Sequence, residues 1–283
     1  VHPIIHVEDL HAARGAGAVT LLDVRYRMGG PDGPPEFAAG HIPGARYVDL
    51  DAALAAPAVR IDGRTPRGRH PLPDPEVFGA AMRAAGVHAD APVVVYDDWS
   101  GHAAARCWWL LRHHGHPDVR VLDGGWAAWT ASGGGVETGG PDDPVASGDF
   151  VARPGGMPVV EADGVGDLPV LLDARAPARY AGLTEPLDPV AGHIPGALNF
   201  PSTDNLDEAG RFRPVAQLRA AYADLGVVPG VEVGVYCGSG VTAALDVLAL
   251  ELIGVRAALY PGSWSEWVAD PDRPAVTGPR RRT

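Results

Sequence analysis

Short apolar runs recur along the chain at Val19–Val24, Pro92–Tyr96, Val119–Leu122 and Val233–Tyr236. Each is too short for a buried helix and rich in β-branched residues, which predicts strands covered on both faces, as in a parallel sheet. Between them lie segments with helical spacing: Val7–Arg14, Pro75–Ala85 (stopped by Gly86), Ala103–His113 and Gly125–Ala131. Strands alternating with helices predict an α/β fold, a mainly parallel sheet flanked by helices.

The pattern is written twice. "LLDVR" at Leu21–Arg25 returns as "LLDAR" at Leu171–Arg175, and "GHIPGA" at Gly40–Ala45 returns unchanged at Gly192–Ala197. "VVVYD" at Val93 returns as "VGVYC" at Val233, and "LDGGWAAW" at Leu122 is echoed by "LYPGSWSEW" at Leu259. Four echoes in one order, offset by 137 to 152 residues, mark a duplicated domain. The expected organisation is a first domain at 1–135, a linker at 136–158 and a second domain at 159–283. The Gly-, Pro- and Asp-rich stretch around the linker lacks an apolar period and is expected to pack along both domains rather than swing free.

With 283 residues, 46% of them apolar, the chain can build two cores. A net charge of −12 disfavours general binding to nucleic acid or anionic membranes, so any anionic substrate needs a locally built positive site. No apolar run approaches the roughly 18 residues of a membrane span. Two cysteines make no disulfide framework and suit a reducing cytoplasm.

One of those cysteines carries the chemistry. Cys237 sits where the strand at Val233 should give way to a helix, the end of an α/β sheet at which functional loops collect. Gly238, Ser239, Gly240, Val241 and Thr242 follow, small enough for their amides to curl around the sulfur. Amides and a helix amino end aimed at one point favour negative charge, lowering a thiol pKa from its ordinary value of about 8.5. The loop therefore predicts a reactive thiolate and a small-anion pocket together. The plainer reading is a small buried hydrophobe. Cys107, set in "ARCWWLLRHH", fits that plainer role. A cysteine phosphatase would need an arginine six residues after the nucleophile, where this chain has Ala243. "HHGH" at His113–His116 is expected to be a solvent-facing helix end rather than a metal site.

Together "GHIPGA" twice, the "LLDxR" strands, "LDGGW" and "YCGSGVTA" resemble the tandem-rhodanese sulfurtransferases, the family of thiosulfate sulfurtransferase and 3-mercaptopyruvate sulfurtransferase. The likeness spans Val7 to Trp267 and implies two rhodanese-like domains, the first idle with Asp97 in place of the cysteine, the second catalytic. It implies a Cys237 persulfide that takes sulfur from a small anionic donor, thiosulfate or 3-mercaptopyruvate, and passes it to cyanide or a thiol. Such chemistry needs no metal or organic cofactor. The resemblance further implies that Arg179 clamps the donor anion, that Arg106 is a second contact, and that Ser239, His70 and Asp51 form a hydroxyl–imidazole–carboxylate relay. Local chemistry alone reads His70 as a surface or turn histidine; a guanidinium fork at Arg179 suits an oxyanion, and the plainer reading there is a surface salt bridge with Glu185 or Asp188. Arg25 and Arg175 read as structural, and Trp264 or Trp267 as either a cover for the persulfide or packing. Mercaptopyruvate enzymes often carry a second arginine after a "TEP"-like segment; here Asp188 stands there, while neutral Gly238 and Ser239 depart from the cations of thiosulfate-specific loops. The contrasting class of function is an idle rhodanese-like module that binds a protein partner, which the retained Cys237 argues against.

Overall fold

Parallel pairing of the buried runs generates two separate sheets. The computed structural model describes residues 1–15, 19–140 and 146–279, so parts of the expected linker (141–145) and of the expected second domain (280–283) lie outside the described residues. The chain divides into two compact units. The first is Val1–Ala56 with Pro73–Met157 and Glu208–Phe212; the second is Pro57–Leu72 with Pro158–Asp207 and Arg213–Thr283. Pro57–Leu72, which sequence order puts inside the first domain, thus groups with the second.

In the first unit the elements run β1 (Ile4–Ile5), α1 (Val7–Gly15), β2 (Thr20–Asp23), α2 (Gly33–Ala39), β3 (Arg46–Tyr47), α3 (Leu50–Ala53), α4 (Pro75–Ala84), β4 (Val93–Tyr96), α5 (His102–His113), β5 (Val119–Leu122) and α6 (Gly125–Ala131). The five strands are all parallel, in the order β1-β5-β4-β2-β3. Central β4 is buried along its whole length, as a β-branched run in a doubly covered sheet must be. Helix α4 starts where Pro75 presets the backbone and the Asp74 carboxylate accepts from the Glu76 and Val77 amides at 2.8 and 3.3 Å.

The second unit repeats the plan with β6 (Val170–Asp173), α7 (Pro177–Tyr180), β7 (Leu198–Asn199), α8 (Val215–Ala223), β8 (Val233–Tyr236), α9 (Ala243–Leu252), β9 (Ala258–Leu259) and α10 (Ser263–Trp267). Its order is β7-β6-β8-β9, again parallel. A parallel bridge from Val159 to Leu259 takes the edge place that β1 holds beside β5.

The repeated motifs are repeated hydrogen bonds. Arg25 and Arg175 are buried and fold back on the aspartate two residues earlier, at 2.7 Å to Asp23 and 2.6 Å to Asp173. Each also donates at 2.6 Å to the glycine carbonyl that opens "GHIPGA", Gly40 or Gly192. Each lies over a tryptophan, Trp126 at 4.8 Å and Trp264 at 4.6 Å. The structural reading of both arginines holds. Trp264 is fully buried in this stack and donates to the Val190 carbonyl at 2.9 Å, and Trp267 donates to Pro274, so packing accounts for both.

One expectation is overturned. His113, His114 and His116 are buried rather than solvent-facing. The His113 ring stacks on Trp109 and bonds the Met157 carbonyl at 3.1 Å, and His116 bonds the His88 carbonyl at 2.9 Å. The expected linker residues close this end: the Arg153 and Gly156 amides donate to His114 and His113 carbonyls, and Phe150 is buried in the same unit. Burial, then repulsion from His113, pushes His114 down to about 4.

Candidate active site

Strand β8 ends at Tyr236 and delivers Cys237 to the start of a tight loop. Gly240 holds φ +76° there, and a Cβ at that residue would overlap the Pro261 carbonyl, so the loop closes only on glycine. The Gly240 amide donates to the Cys237 sulfur at 3.1 Å. Burial pushes the thiol pKa up, but the Thr242 hydroxyl and the Ser239, Ala243 and Gly240 backbone groups outweigh it, leaving the pKa below its ordinary value. Val241 is buried, and Thr242 stands just before α9 with no side-chain hydrogen bond capping the helix.

The turn into α10 braces the loop from behind. Cys237 donates its amide to Ser263 Oγ at 3.1 Å, and Ser263 Oγ donates to the Tyr260 carbonyl at 2.9 Å. Trp264 and Ser265 amides donate to the Cys237 and Gly238 carbonyls, each at 3.0 Å. Ser263 has φ +54°, a left-handed conformation uncommon for serine, held by these bonds. Its counterpart in the first repeat is Gly125 at φ +53°. The exchange of glycine for serine between the repeats was the sequence signal for this unforeseen residue.

Segment Pro57–Leu72 supplies the next side chains. His70 is 7% exposed, not a surface histidine, and its Nδ1 shares a 2.7 Å hydrogen bond with Ser239 Oγ. Two guanidinium groups abut Gly238. From the place a Cβ would occupy there, Arg69 Nη2 is 2.8 Å away and Arg179 Nη1 3.4 Å. Arg179 pairs with Glu185 at 2.6 Å and Asp188 at 3.4 Å, so its predicted acid partners are real and it also borders the cysteine loop. Arg69 pairs with Asp188. Arg69 escaped the sequence reading because its partner is 119 residues away; the acid at Asp188, where a cation was expected, was the available clue.

The remaining expected site residues lie in the first unit. Arg106 is fully buried on α5 and donates to the Leu54 carbonyl at 3.2 Å. That is a packed structural position rather than one open to a small anion. Asp51 is exposed on α3. Cys107 is fully buried on α5, and burial pushes its thiol pKa up. Asp97 occupies the place of Cys237. One carboxylate oxygen accepts from the Trp99 and Gly101 amides at 2.9 and 2.8 Å, the other from Ala103 and Ala104 at 2.8 and 2.9 Å. Among the described residues, no group of three or more His, Cys, Asp or Glu is placed to hold a metal ion. No helix among them is long and apolar enough to cross a membrane.

Comparison with known proteins agrees with this geometry. The rhodanese-like domain model matches twice, over residues 6–132 and 161–270. A Mycobacterium tuberculosis protein named putative thiosulfate sulfurtransferase SseB is 45% identical over 92% of this chain and 91% of its own length. A probable 3-mercaptopyruvate sulfurtransferase of Pseudomonas aeruginosa is 43% identical over 97% of this chain and 98% of its own. The crystal structure of the 3-mercaptopyruvate enzyme SseA from Escherichia coli superposes with a TM-score of 0.79 at 33% identity, covering 93% of this chain and 99% of that one. The chain belongs to the rhodanese family, as a tandem-domain sulfurtransferase. Its enzymatic class is sulfur transfer, with a sulfur donor and an acceptor as substrates.

Proposed function

We propose that the chain moves sulfur from 3-mercaptopyruvate to a thiol or cyanide through a persulfide on Cys237, with thiosulfate the poorer donor. The carrying observation is the 2.7 Å bond between Ser239 Oγ and His70 Nδ1, two residues past a cysteine whose pKa is lowered. Thiosulfate releases sulfite, which needs no proton. Mercaptopyruvate releases an enolate, which does.

In this reading the Cys237 thiolate attacks the donor's sulfur, forming the S–S bond as the C–S bond breaks. The electron pair of that bond leaves on the enolate, so the donor carbon is reduced as the two sulfurs become a persulfide. Ser239 delivers a proton to the enolate carbon, His70 restores it to the hydroxyl, and the donor's own thiol proton replaces the one consumed. Asp51 is the proposed carboxylate behind His70. Arg179 holds the donor carboxylate, and the amides of Gly238, Gly240, Val241 and Thr242 cradle the sulfur. The acceptor then attacks the outer sulfur and regenerates the thiolate. The cytoplasm is the expected compartment, since both cysteines are free thiols. Turnover with each donor, side by side, tests the reading: wild type should favour mercaptopyruvate, and faster turnover with thiosulfate would reverse the assignment.

A further inference from the structure

The segment that supplies His70 also carries a surface hairpin. Within Pro57–Leu72, part of the second unit, Ile61 and Arg64 pair through two reciprocal 2.9 Å backbone hydrogen bonds. Asp62 and Gly63 between them have φ +49° and +77°, the left-handed pair of a two-residue hairpin turn. The hairpin is fixed to the turn that braces the cysteine loop. Thr65 Oγ1 donates to the Ser265 carbonyl at 3.3 Å, and Arg64 Nη1 donates to the Val268 and Ala269 carbonyls at 3.2 Å each. Ser265 in turn donates its amide to the Gly238 carbonyl at 3.0 Å.

The face this hairpin turns to solvent differs from the rest of an acidic chain. Val59 and Ile61 are each 56% exposed, and Arg60 and Arg67 are exposed in the same segment. Neither arginine forms a salt bridge or hydrogen bond among the described residues, although Arg67 attracts half-buried Glu266. Arg64 directs its guanidinium to carbonyls, not to a carboxylate. Arg60 and Arg64 line one crevice with Leu187, which is 45% exposed. Glu185, Asp188 and Asp270 already pair with other arginines. That leaves Asp62 and a share of Glu266 against Arg60, Arg64 and Arg67, a local positive excess in a chain of net charge −12. Unpaired arginines interleaved with exposed aliphatic side chains are the composition of a protein-binding surface rather than of a solvated loop.

A small donor or cyanide fits within the cysteine loop and has no use for an exposed hairpin fixed beside it. A polypeptide acceptor needs such a surface, and the sign of the charge selects an acidic one. We propose that the Val59–Arg67 hairpin docks the sulfur acceptor, and that this acceptor is an acidic polypeptide bearing a thiol. The proposal rests on the Cys237 persulfide of the reading above. The acceptor thiolate attacks the outer sulfur, a new S–S bond forms as the bond to Cys237 breaks, and that bond's electron pair returns to the Cys237 thiolate. The arginines raise the rate of encounter with an acidic partner, and Val59, Ile61 and Leu187 supply apolar contact.

Single-turnover transfer from preformed persulfide tests this with three thiol probes: a cysteine peptide flanked by Asp, Glu and Leu, the same peptide with Asn and Gln for the acids, and N-acetylcysteine. Rates are compared within each probe, because acidic flanks lower the thiolate fraction. Arg60→Glu/Arg67→Glu should slow transfer to the acidic peptide roughly tenfold or more, an effect that shrinks as salt is raised. The amide peptide, N-acetylcysteine and cyanide should react nearly as with wild type. Val59→Ser/Ile61→Ser should slow both peptides and spare N-acetylcysteine and cyanide. Unchanged peptide rates in either variant, or an equal loss with the amide peptide on charge reversal, would overturn the proposal. So would a loss with N-acetylcysteine as large as with the acidic peptide, which gives the arginines to small anions, or a rise in donor KM alone, which gives them to the donor. A wild-type dimer that charge reversal dissociates would give the face to a second copy instead. No persulfide on Cys237 after donor treatment defeats sulfur transfer itself, whereas persulfide passed to the acidic peptide at equal rates by wild type and the reversed variant defeats docking alone.

Discussion

The loops after β4 and β8 share a left-handed turn position and hold opposite occupants. Ser100 at φ +53° matches Gly240 at φ +76°, and Gly125 matches Ser263. Both loops turn backbone amides toward one point. In the first repeat a carboxylate is already there, and four amides saturate Asp97. In the second the occupant is a single sulfur, with Gly240 at 3.1 Å and the Thr242 hydroxyl beside it. The first cradle is closed around a carboxylate, and the second around a thiol whose pKa it lowers. One anion-binding turn thus serves as a structural cap in one repeat and as a reactive centre in the other.

The sharpest way to break this comparison is Asp97→Cys. If side chains beyond the backbone make the centre, the introduced thiol acquires no sulfur, because Trp99 and His102 stand where the second loop has Ser239 and Thr242. Peptide mass spectrometry after donor treatment reads this directly, and persulfide there at a rate near that of Cys237 would show the backbone suffices. Next in size is Ser239→Ala. Loss of a positioned proton donor should slow mercaptopyruvate turnover by about 10²–10⁴-fold and thiosulfate turnover much less. Equal losses with both donors would mean the hydroxyl only shapes the pocket.

The two copies were legible in sequence because the same residues make the same bonds: Arg25 with Asp23 and Gly40, Arg175 with Asp173 and Gly192. Strand β4 was legible because burial on both faces demands a continuous apolar run. Cys237 could be singled out because glycines at 238 and 240 are poor core material. Arg69 and the burial of His113–His116 depend on chain that returns from elsewhere, Asp188 in one case and residues 150–157 in the other. A local window carries no trace of such partners. Arg106 misled for the opposite reason: a cation beside a site motif looks functional, but this one is fully buried and bonds the Leu54 carbonyl.

A smaller effect concerns stability. Asp97→Ala strands four amides, three of them buried, and should cost about 3 kcal/mol in denaturant unfolding, whereas Cys237→Ala should cost about 1 kcal/mol or less. Similar costs at the two positions would contradict the assignment of cap and reactive centre. The smallest effect is a shift in pH dependence. The thiolate is lost as pH falls through the Cys237 pKa, which the cradle lowers, so the donor half-reaction has an acid limb. Thr242→Val removes a hydroxyl that lowers that pKa and should move the limb to higher pH. An unmoved limb would mean that the amides alone hold the charge.

The central claim is that sulfur is carried on Cys237 and not on the core thiol Cys107. Wild-type protein treated with 3-mercaptopyruvate and no acceptor, then digested and weighed peptide by peptide, tests it most directly. One added sulfur on the Cys237 peptide, lost on addition of cyanide, with Cys107 unmodified, is the predicted result. Sulfur on Cys107, or a Cys237 peptide that stays unchanged while turnover proceeds, would contradict the account.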